Sequence, residues 1–348
     1  MNTIHSAQKS DCLIIGGGLV GTTTARELAM RGLSVSLFDK GQLGMESSWA
    51  AGGILSSMRV WSEHPVSADL SSEGKACYEN FVEELKEQTG IDSEYYRSGL
   101  LMINDSDIEQ IRLWADKNQL SLSGNSGDYL SDMHIPDNSV FLPEIAQVRV
   151  SSLLKALRAS LIKLGVSIFE NTAITGMEIN AGRCESVQAG RDKYYADSFI
   201  ISAGAWSEQV LGTNNCGIKI KPVMGQMLCV KFPSQKLETM ILDGGYYFIP
   251  RKDGHVLIGS TMEDIGFAKE TTQSARNELM EWACALWPEF ADAKFIKHWS
   301  GLRPATDNGK PYLGKLEDYE NVYINAGHFR KGILQAPVCA RKIANMVC

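Results

Sequence analysis

The amino-acid sequence predicts an α/β protein of two domains, one built on a largely parallel sheet and a second, smaller one on an antiparallel sheet. Three observations predict it. Cys12-Leu13-Ile14-Ile15 is an apolar run without polar alternation, as a strand buried on both faces requires; a glycine-rich turn, a helix and a second strand ending in Asp39 follow it. Phe199-Ile200-Ile201 is another such run and ends in Ser-Ala-Gly. Segments 223–230, 245–250 and 255–259 alternate partly, as strands of an antiparallel sheet do.

The turn after the first strand places Gly16, Gly18 and Gly21 in the G-x-G-x-x-G spacing. The first glycine permits the sharp turn, the second lets backbone approach a pyrophosphate, and the third lets the helix pack on the strand. The helix N-terminus aims N–H groups and a positive dipole end at the phosphates. Asp39 suits hydrogen bonds to ribose hydroxyls and would repel a 2′-phosphate. Strand, turn, helix and acid together indicate a Rossmann-like dinucleotide site. From these residues alone the dinucleotide is FAD or NAD.

Further along, the first helix covers 19–31 and stops at Gly32. Residues 44–55 are small and hydroxyl-rich, which lets backbone run close to a large flat ligand. An amphipathic helix is predicted over 73–89, a strand over 99–103 and a helix over 108–115. Residues 120–139 carry Ser, Asp, Asn and Gly without period and read as a loop. A helix over 148–165 is followed by strands at 166–169, 173–179, 184–189 and 198–202. The helix 274–287 precedes two turn-rich stretches, 299–304 and 308–314, then a strand at 322–327 and a final helix. The predicted domains are discontinuous: 9–75, 145–215 and 300–348 for the nucleotide, 76–144 and 216–299 for the substrate.

The 348 residues suit two cores. A formal charge of −7 argues against a nucleic-acid or anionic-membrane surface, which needs clustered Lys and Arg. No apolar run is long enough to span a membrane. Residues 1–10 are polar and read as a disordered lead-in. The eight cysteines are scattered without C-x-x-C spacing, which fits reduced thiols in a cytoplasmic protein and no metal site.

Several stretches together resemble the D-amino-acid oxidase family of flavoproteins. They are the fingerprint, Ser47-Ser48-Trp49-Ala50-Ala51-Gly52-Gly53, Ser202-Ala203-Gly204-Ala205-Trp206, Gly301-Leu302-Arg303-Pro304, Lys310-Pro311-Tyr312-Leu313-Gly314 and Ala326-Gly327-His328-Phe329-Arg330-Lys331-Gly332-Ile333-Leu334. The likeness covers about residues 11–346 and is greatest to the branch that oxidises glycine, associated with making the thiazole of thiamine. It implies FAD as cofactor. Carried over by position, Gly16, Gly18, Leu19, Val20 and Gly21 would hold the pyrophosphate, and Asp39 with Lys40 the adenosine ribose. Ser47, Ser48, Ala51, Gly52 and Gly53 would line flavin and phosphates, Ile174 would meet the adenine side, and His328 to Leu334 would wrap the isoalloxazine edge.

At the substrate end the resemblance implies that Arg303 grips a carboxylate, with Tyr247 as a second donor, Arg330 nearby and Met262 limiting the pocket. Guanidinium suits the task because its planar fork matches a carboxylate bidentately. Tyr246 and Tyr247 are neighbours, and one step of strand register exchanges their faces. The implied reaction takes an amine to an imine by hydride transfer to flavin N5, with dioxygen going to hydrogen peroxide and the imine to a 2-oxo acid and ammonia. For glycine the products are iminoacetate or glyoxylate. Positioning supplies most of that catalysis, so no catalytic base is required. Trp299-Ser300-Gly301-Leu302-Arg303 holds no cysteine, so the FAD is expected to be non-covalent. The expected partners are a small amino-acid substrate, dioxygen and a thiazole synthase, and a homo-oligomer is expected. A dehydrogenase using another acceptor, or an oxidase of a larger amine, are the alternative readings.

Overall fold

The computed structural model describes residues 9–56, 63–103, 108–117, 122, 135, 139–214, 216–232 and 237–348. Residues 1–8 of the polar lead-in and nearly all of the 120–139 loop lie outside the described residues, and Ser10, expected in the lead-in, opens the first strand.

A six-stranded sheet carries the fingerprint. Its order is Tyr312–Lys315, Val322–Ala326, Ala196–Ile201, Ser10–Ile15, Val35–Phe38 and Ser167–Phe169. Every neighbouring pair is parallel except the first. Alternate residues of its central strand face different partners. Cys12 and Ile14 pack with Ala25 and Leu28 of the helix Leu19–Met30, Leu161 of the helix Val150–Lys163 and Ile343 of the helix Gly332–Val347. Leu13 and Ile15 pack on the opposite side with Cys184 and Val187, from a three-stranded antiparallel sheet of Gly176–Asn180, Arg183–Ala189 and Asp192–Tyr194. Both faces are thus covered, which is why the strand reads as unbroken apolar sequence.

A seven-stranded sheet follows the order Lys294–Ala305, Lys221–Lys231, His255–Gly259, Tyr246–Pro250, Met240–Asp243, Leu100–Ile103 and Val140–Leu142. It is antiparallel apart from the pairing of Met240–Asp243 with Leu100–Ile103. One face, with Phe248, Leu228 and Ile258, packs on Leu279, Ala283, Trp287 and Phe290 at and beyond the helix Gln273–Leu286. The other face carries Met227, Tyr247 and Ile249.

Several boundaries differ from the sequence expectation. Residues 299–304, expected as turn, lie in the twelve-residue strand Lys294–Ala305. The turn-rich 308–314 contains the start of the strand Tyr312–Lys315. The helix expected from residue 73 begins at Pro65, where His64 accepts a hydrogen bond from the Val66 N–H. The strand expected from residue 173 begins only at Gly176.

Candidate active site

A cavity of about 840 Å3 runs between the two large sheets, and the fingerprint forms one end of it. Gly16 has φ +109, and a Cβ there would stand 2.3 Å from the Ser202 carbonyl oxygen. A Cβ on Gly21 would meet the Gly16 carbonyl oxygen at 1.8 Å, so helix and strand touch only because that position is glycine. Gly21 therefore lies behind the wall, while Gly16, Gly18, Leu19 and Val20 line it. Gly18 offers no capping side chain to the first helix. Ser48 supplies the cap from a distant segment, its Oγ accepting from the Leu19 N–H at 2.8 Å.

Asp39 and Lys40 line the next stretch, with Ile174 and its neighbours Thr172, Ala173 and Thr175. The Asp39 carboxylate accepts from the N–H groups of Gly17 at 2.7 Å and Gly41 at 2.8 Å. Burial raises its pKa, and those two donors oppose the shift. The Lys40 ammonium stands 3.3 Å from the centroid of the Trp206 ring. Ser47, Ser48, Ala51, Gly52 and Gly53 continue the wall. The Ser47 hydroxyl donates to the Leu302 carbonyl, which ties this segment to the strand bearing Arg303.

Beyond them, residues 328–333 close the far end. His328 is buried, its Nδ1 2.9 Å from Gln335 Oε1 and its Nε2 2.9 Å from the Asn325 side-chain amide. Burial pushes its pKa down to about 4, so the ring is neutral at physiological pH. Gln335 gives its Nε2 protons to the Ser67 carbonyl and the Ser67 and Ser71 hydroxyls. Its oxygen must then face Nδ1, and Nδ1 carries the single ring proton. Nε2 faces the Asn325 side-chain amide, whose Nδ2 donates to Thr24 Oγ1 at 3.1 Å. Lys331 pairs with the buried Glu63 carboxylate at 2.9 Å. Leu334 points away from the cavity into the core with Leu153 and Tyr78, so the wall ends at Ile333.

Arg303, Tyr247 and Arg330 all line the same cavity. Arg303 donates to the carbonyls of Met224 at 3.3 Å and Thr261 at 3.2 Å, and to Ser260 Oγ at 2.6 Å. Its guanidinium lies flat on Gly225, where a Cβ would stand 2.2 Å from Nη2. No carboxylate pairs with it among the described residues. Tyr247 faces the cavity beside Met227, whereas Tyr246 turns to the other face and donates to Glu278. Met262 is the exception among the expected substrate residues. It is 63% exposed and outside the cavity wall, and it meets the Arg330 Nη2 at 3.5 Å through its sulfur. Its segment lies past the strand end at Gly259, where Thr261 and Glu263 still bond to Gln226 and Met224, and the Met262 side chain projects to solvent.

Other lining residues escaped the sequence reading: Glu63, Ser260, Gly225, Met227 and Asn325. Gly225 had a signal, a lone glycine inside an apolar strand, which marks close approach by another group. No cysteine lines the cavity among the described residues. No group of three or more His, Cys, Asp or Glu among them is placed to hold a metal, and none of their helices is long and apolar enough to cross a membrane.

A family model described as FAD dependent oxidoreductase matches residues 11–346. The chain belongs to that family. It is 35% identical over 342 residues to glycine oxidase of Pseudomonas putida, covering 96% of this chain and 93% of the relative. It is 27% identical to the bifunctional protein ThiO/ThiG of Trichormus variabilis, covering 97% of this chain and 52% of that one. The crystal structure of glycine oxidase from Geobacillus kaustophilus superimposes with a TM-score of 0.89 at 26% identity, covering 97% of this chain and 94% of that one.

FAD is the cofactor of this family, and the cavity fits it on physical grounds. Glycines stand where any Cβ would fill the turn, an acid ends the second strand, and the wall continues without interruption to a helix N-terminus at Gly332.

Proposed function

We propose that the chain oxidises glycine, and other small amines or D-amino acids, to the imine, using non-covalent FAD and dioxygen. The observation that carries the reading is the convergence of Arg303 and Tyr247 on the cavity that the fingerprint opens. Bound FAD supplies two-electron oxidation at the amine-bearing carbon and is reoxidised by dioxygen to give peroxide. Gly16, Gly18, Leu19 and Val20 would hold its pyrophosphate, with Gly21 letting the helix pack on the strand; Asp39 and Lys40 would hold its ribose. Ser47, Ser48, Ala51 to Gly53 and residues 328–333 would lie along its phosphates and flavin.

The chain's own work is to bind and orient. Arg303 already spends donors on two carbonyls and a hydroxyl, which holds its plane fixed, and a substrate carboxylate would meet a charge that no acid among the described residues neutralises. The Tyr247 hydroxyl adds a donor, and Arg330 a second cation. His328 is unsuited to be a base, because its pKa lies near 4 and both ring nitrogens face amides. Glu63 is neutralised by Lys331. Catalysis then rests on alignment of a neutral amine, which is worth many orders of magnitude in effective concentration.

The domain division at 9–75, 145–215 and 300–348 against 76–144 and 216–299 belongs to the same proposal. So does a thiazole synthase as taker of the imine, supported by the fused ThiO/ThiG relative. The test is an anaerobic titration. Glycine should bleach the flavin band within seconds, and air should restore it with stoichiometric peroxide. A yellow protein that glycine leaves oxidised would overturn the substrate; bleaching without peroxide would make the chain a dehydrogenase.

A further inference from the structure

We infer that Arg251 is a positioning residue that fixes the Gly52–Gly53 wall of the cavity against the strand carrying Tyr247. The inference rests on the reading of that cavity as the FAD site. Arg251 directly follows the strand Tyr246–Pro250. Its backbone closes the hairpin, with its N–H donating to the His255 carbonyl at 2.7 Å and its carbonyl accepting from Gly254 at 3.0 Å. Its side chain turns inward and is 4% exposed.

Nη1 donates to Gln147 Oε1 at 2.7 Å and to the Val148 carbonyl at 3.0 Å, and Nη2 donates to the Gly52 carbonyl at 2.6 Å. One planar fork therefore sets the angle between two segments distant in sequence and the strand it grows from. There is no slack in the contact. A Cβ on Gly52 would stand 2.4 Å from Ile249 Cδ1, and one on Gly53 would stand 2.1 Å from the Val148 carbonyl oxygen. The Val148 N–H in turn donates to the Gly53 carbonyl at 3.0 Å. Gln147 is fully buried and donates to Ser98 Oγ at 2.8 Å, so a buried polar chain runs from Ser98 through Gln147 and Arg251 to Gly52.

This cation has no counter-ion among the described residues. The acids whose fields reach it, Glu94 and Asp253, are both held by Arg149, at 2.7 and 3.0 Å. Burial pushes the Arg251 pKa down to about 10, which still leaves it charged at neutral pH. A buried cation without a partner acid is costly, and apolar packing of the same volume is commonly as stable or more so. What an apolar side chain cannot supply is the direction of the Gly52 carbonyl. Gly52 and Gly53 line the cavity while Arg251 and Gln147 do not, so the guanidinium acts on the cofactor's bed from behind.

The experiment uses full-length protein loaded with FAD, with Arg251→Lys and Arg251→Met. Lysine keeps the charge and loses the fork; methionine loses both. Both variants should weaken FAD binding by about ten-fold or more, the equivalent of one charge-assisted hydrogen bond. Both should change the visible circular dichroism of bound flavin. At saturating FAD the limiting rate of anaerobic reduction by glycine should fall by a similar factor, with glycine affinity within about three-fold of the parent. Parental FAD affinity and visible dichroism in either variant, with only a lowered melting temperature, would overturn the inference. So would full rescue by lysine. If glycine fails to reduce even the parent, the substrate reading fails alone, and affinity and dichroism still decide Arg251. If neither variant folds, Gln147→Met decides by the same two readouts. A loss of FAD affinity of about three-fold would support the role, and no change would refute it.

Discussion

His328 sits in the cavity wall with a neutral ring, and that has a consequence for the pH dependence of stability. The unfolded chain binds its proton near pH 6.5, the folded chain only near 4. Between those values the unfolded state holds more protons, so stability falls as pH drops from 6.5 towards 4 and is intact above 6.5. A gap of that size corresponds to about 3 kcal/mol. Thermal melts of the parent and His328→Gln between pH 7 and 4 should diverge, the parent losing more. Parallel curves would remove His328 from the account. Asp253 acts in a more acid window, because the neighbouring His255 and Arg149 hold its carboxyl far below the usual range. The partners of His328 have no local signal in the sequence. Gln335 lies one turn into the last helix and Ser67 lies 261 positions before His328, a distance that only folding closes.

Strand register decides which of two adjacent tyrosines faces the cavity. Tyr247 pairs with Leu242 and Gly259, and its side chain shares a face with Met227 and Ile249; Tyr246 shares the opposite face with Trp282. Arg303→Ala should raise the glycine KM by about 10- to 100-fold, since a charge-assisted contact is worth about 1.5–3 kcal/mol. Tyr247→Phe should raise it about 2- to 10-fold for a neutral one. Tyr246→Phe should leave KM alone, because its hydroxyl is spent on Glu278. Steady-state kinetics at saturating FAD settles the set, and an effect confined to Tyr246 would invert the assigned faces. Within the strand Lys294–Ala305, residues 299–304 read as turn because Gly301 and Pro304 usually break strands. The strand is the edge of its sheet, where proline is tolerated. Gly301 is there for closeness, a Cβ at that position standing 2.5 Å from Ala50 Cβ.

At the scale of the whole molecule, one cavity is walled by both large sheets, with Ile15, Phe38 and Ser202 from one side and Met227, Tyr247 and Arg303 from the other. A cofactor filling it binds the folded chain and not the unfolded one. At 100 times its Kd, FAD should therefore add about 2.7 kcal/mol of stability. Differential scanning fluorimetry of apo and reconstituted protein should show a rise of roughly 3–6 °C in Tm. No change would mean that FAD does not bridge the two sheets. Acid precipitation should leave the yellow colour in the supernatant; colour in the pellet would mean a covalent bond.

By itself the sequence determined the nucleotide end of this protein. The fingerprint glycines, the apolar strands and Asp39 are local, and the geometry they serve spans one βαβ unit, so spacing along the chain carries it. The resemblance added FAD, and Arg303 as the expected grip on a carboxylate. Tertiary structure alone decided the rest. It turned Met262 to solvent, Leu334 into the core and Tyr247 inward. It also laid Gly225 under the Arg303 guanidinium and brought Arg251 behind Gly52. Those contacts join residues far apart in the chain. They follow from the pairing and packing of segments distant in sequence, which spacing within any one segment does not carry.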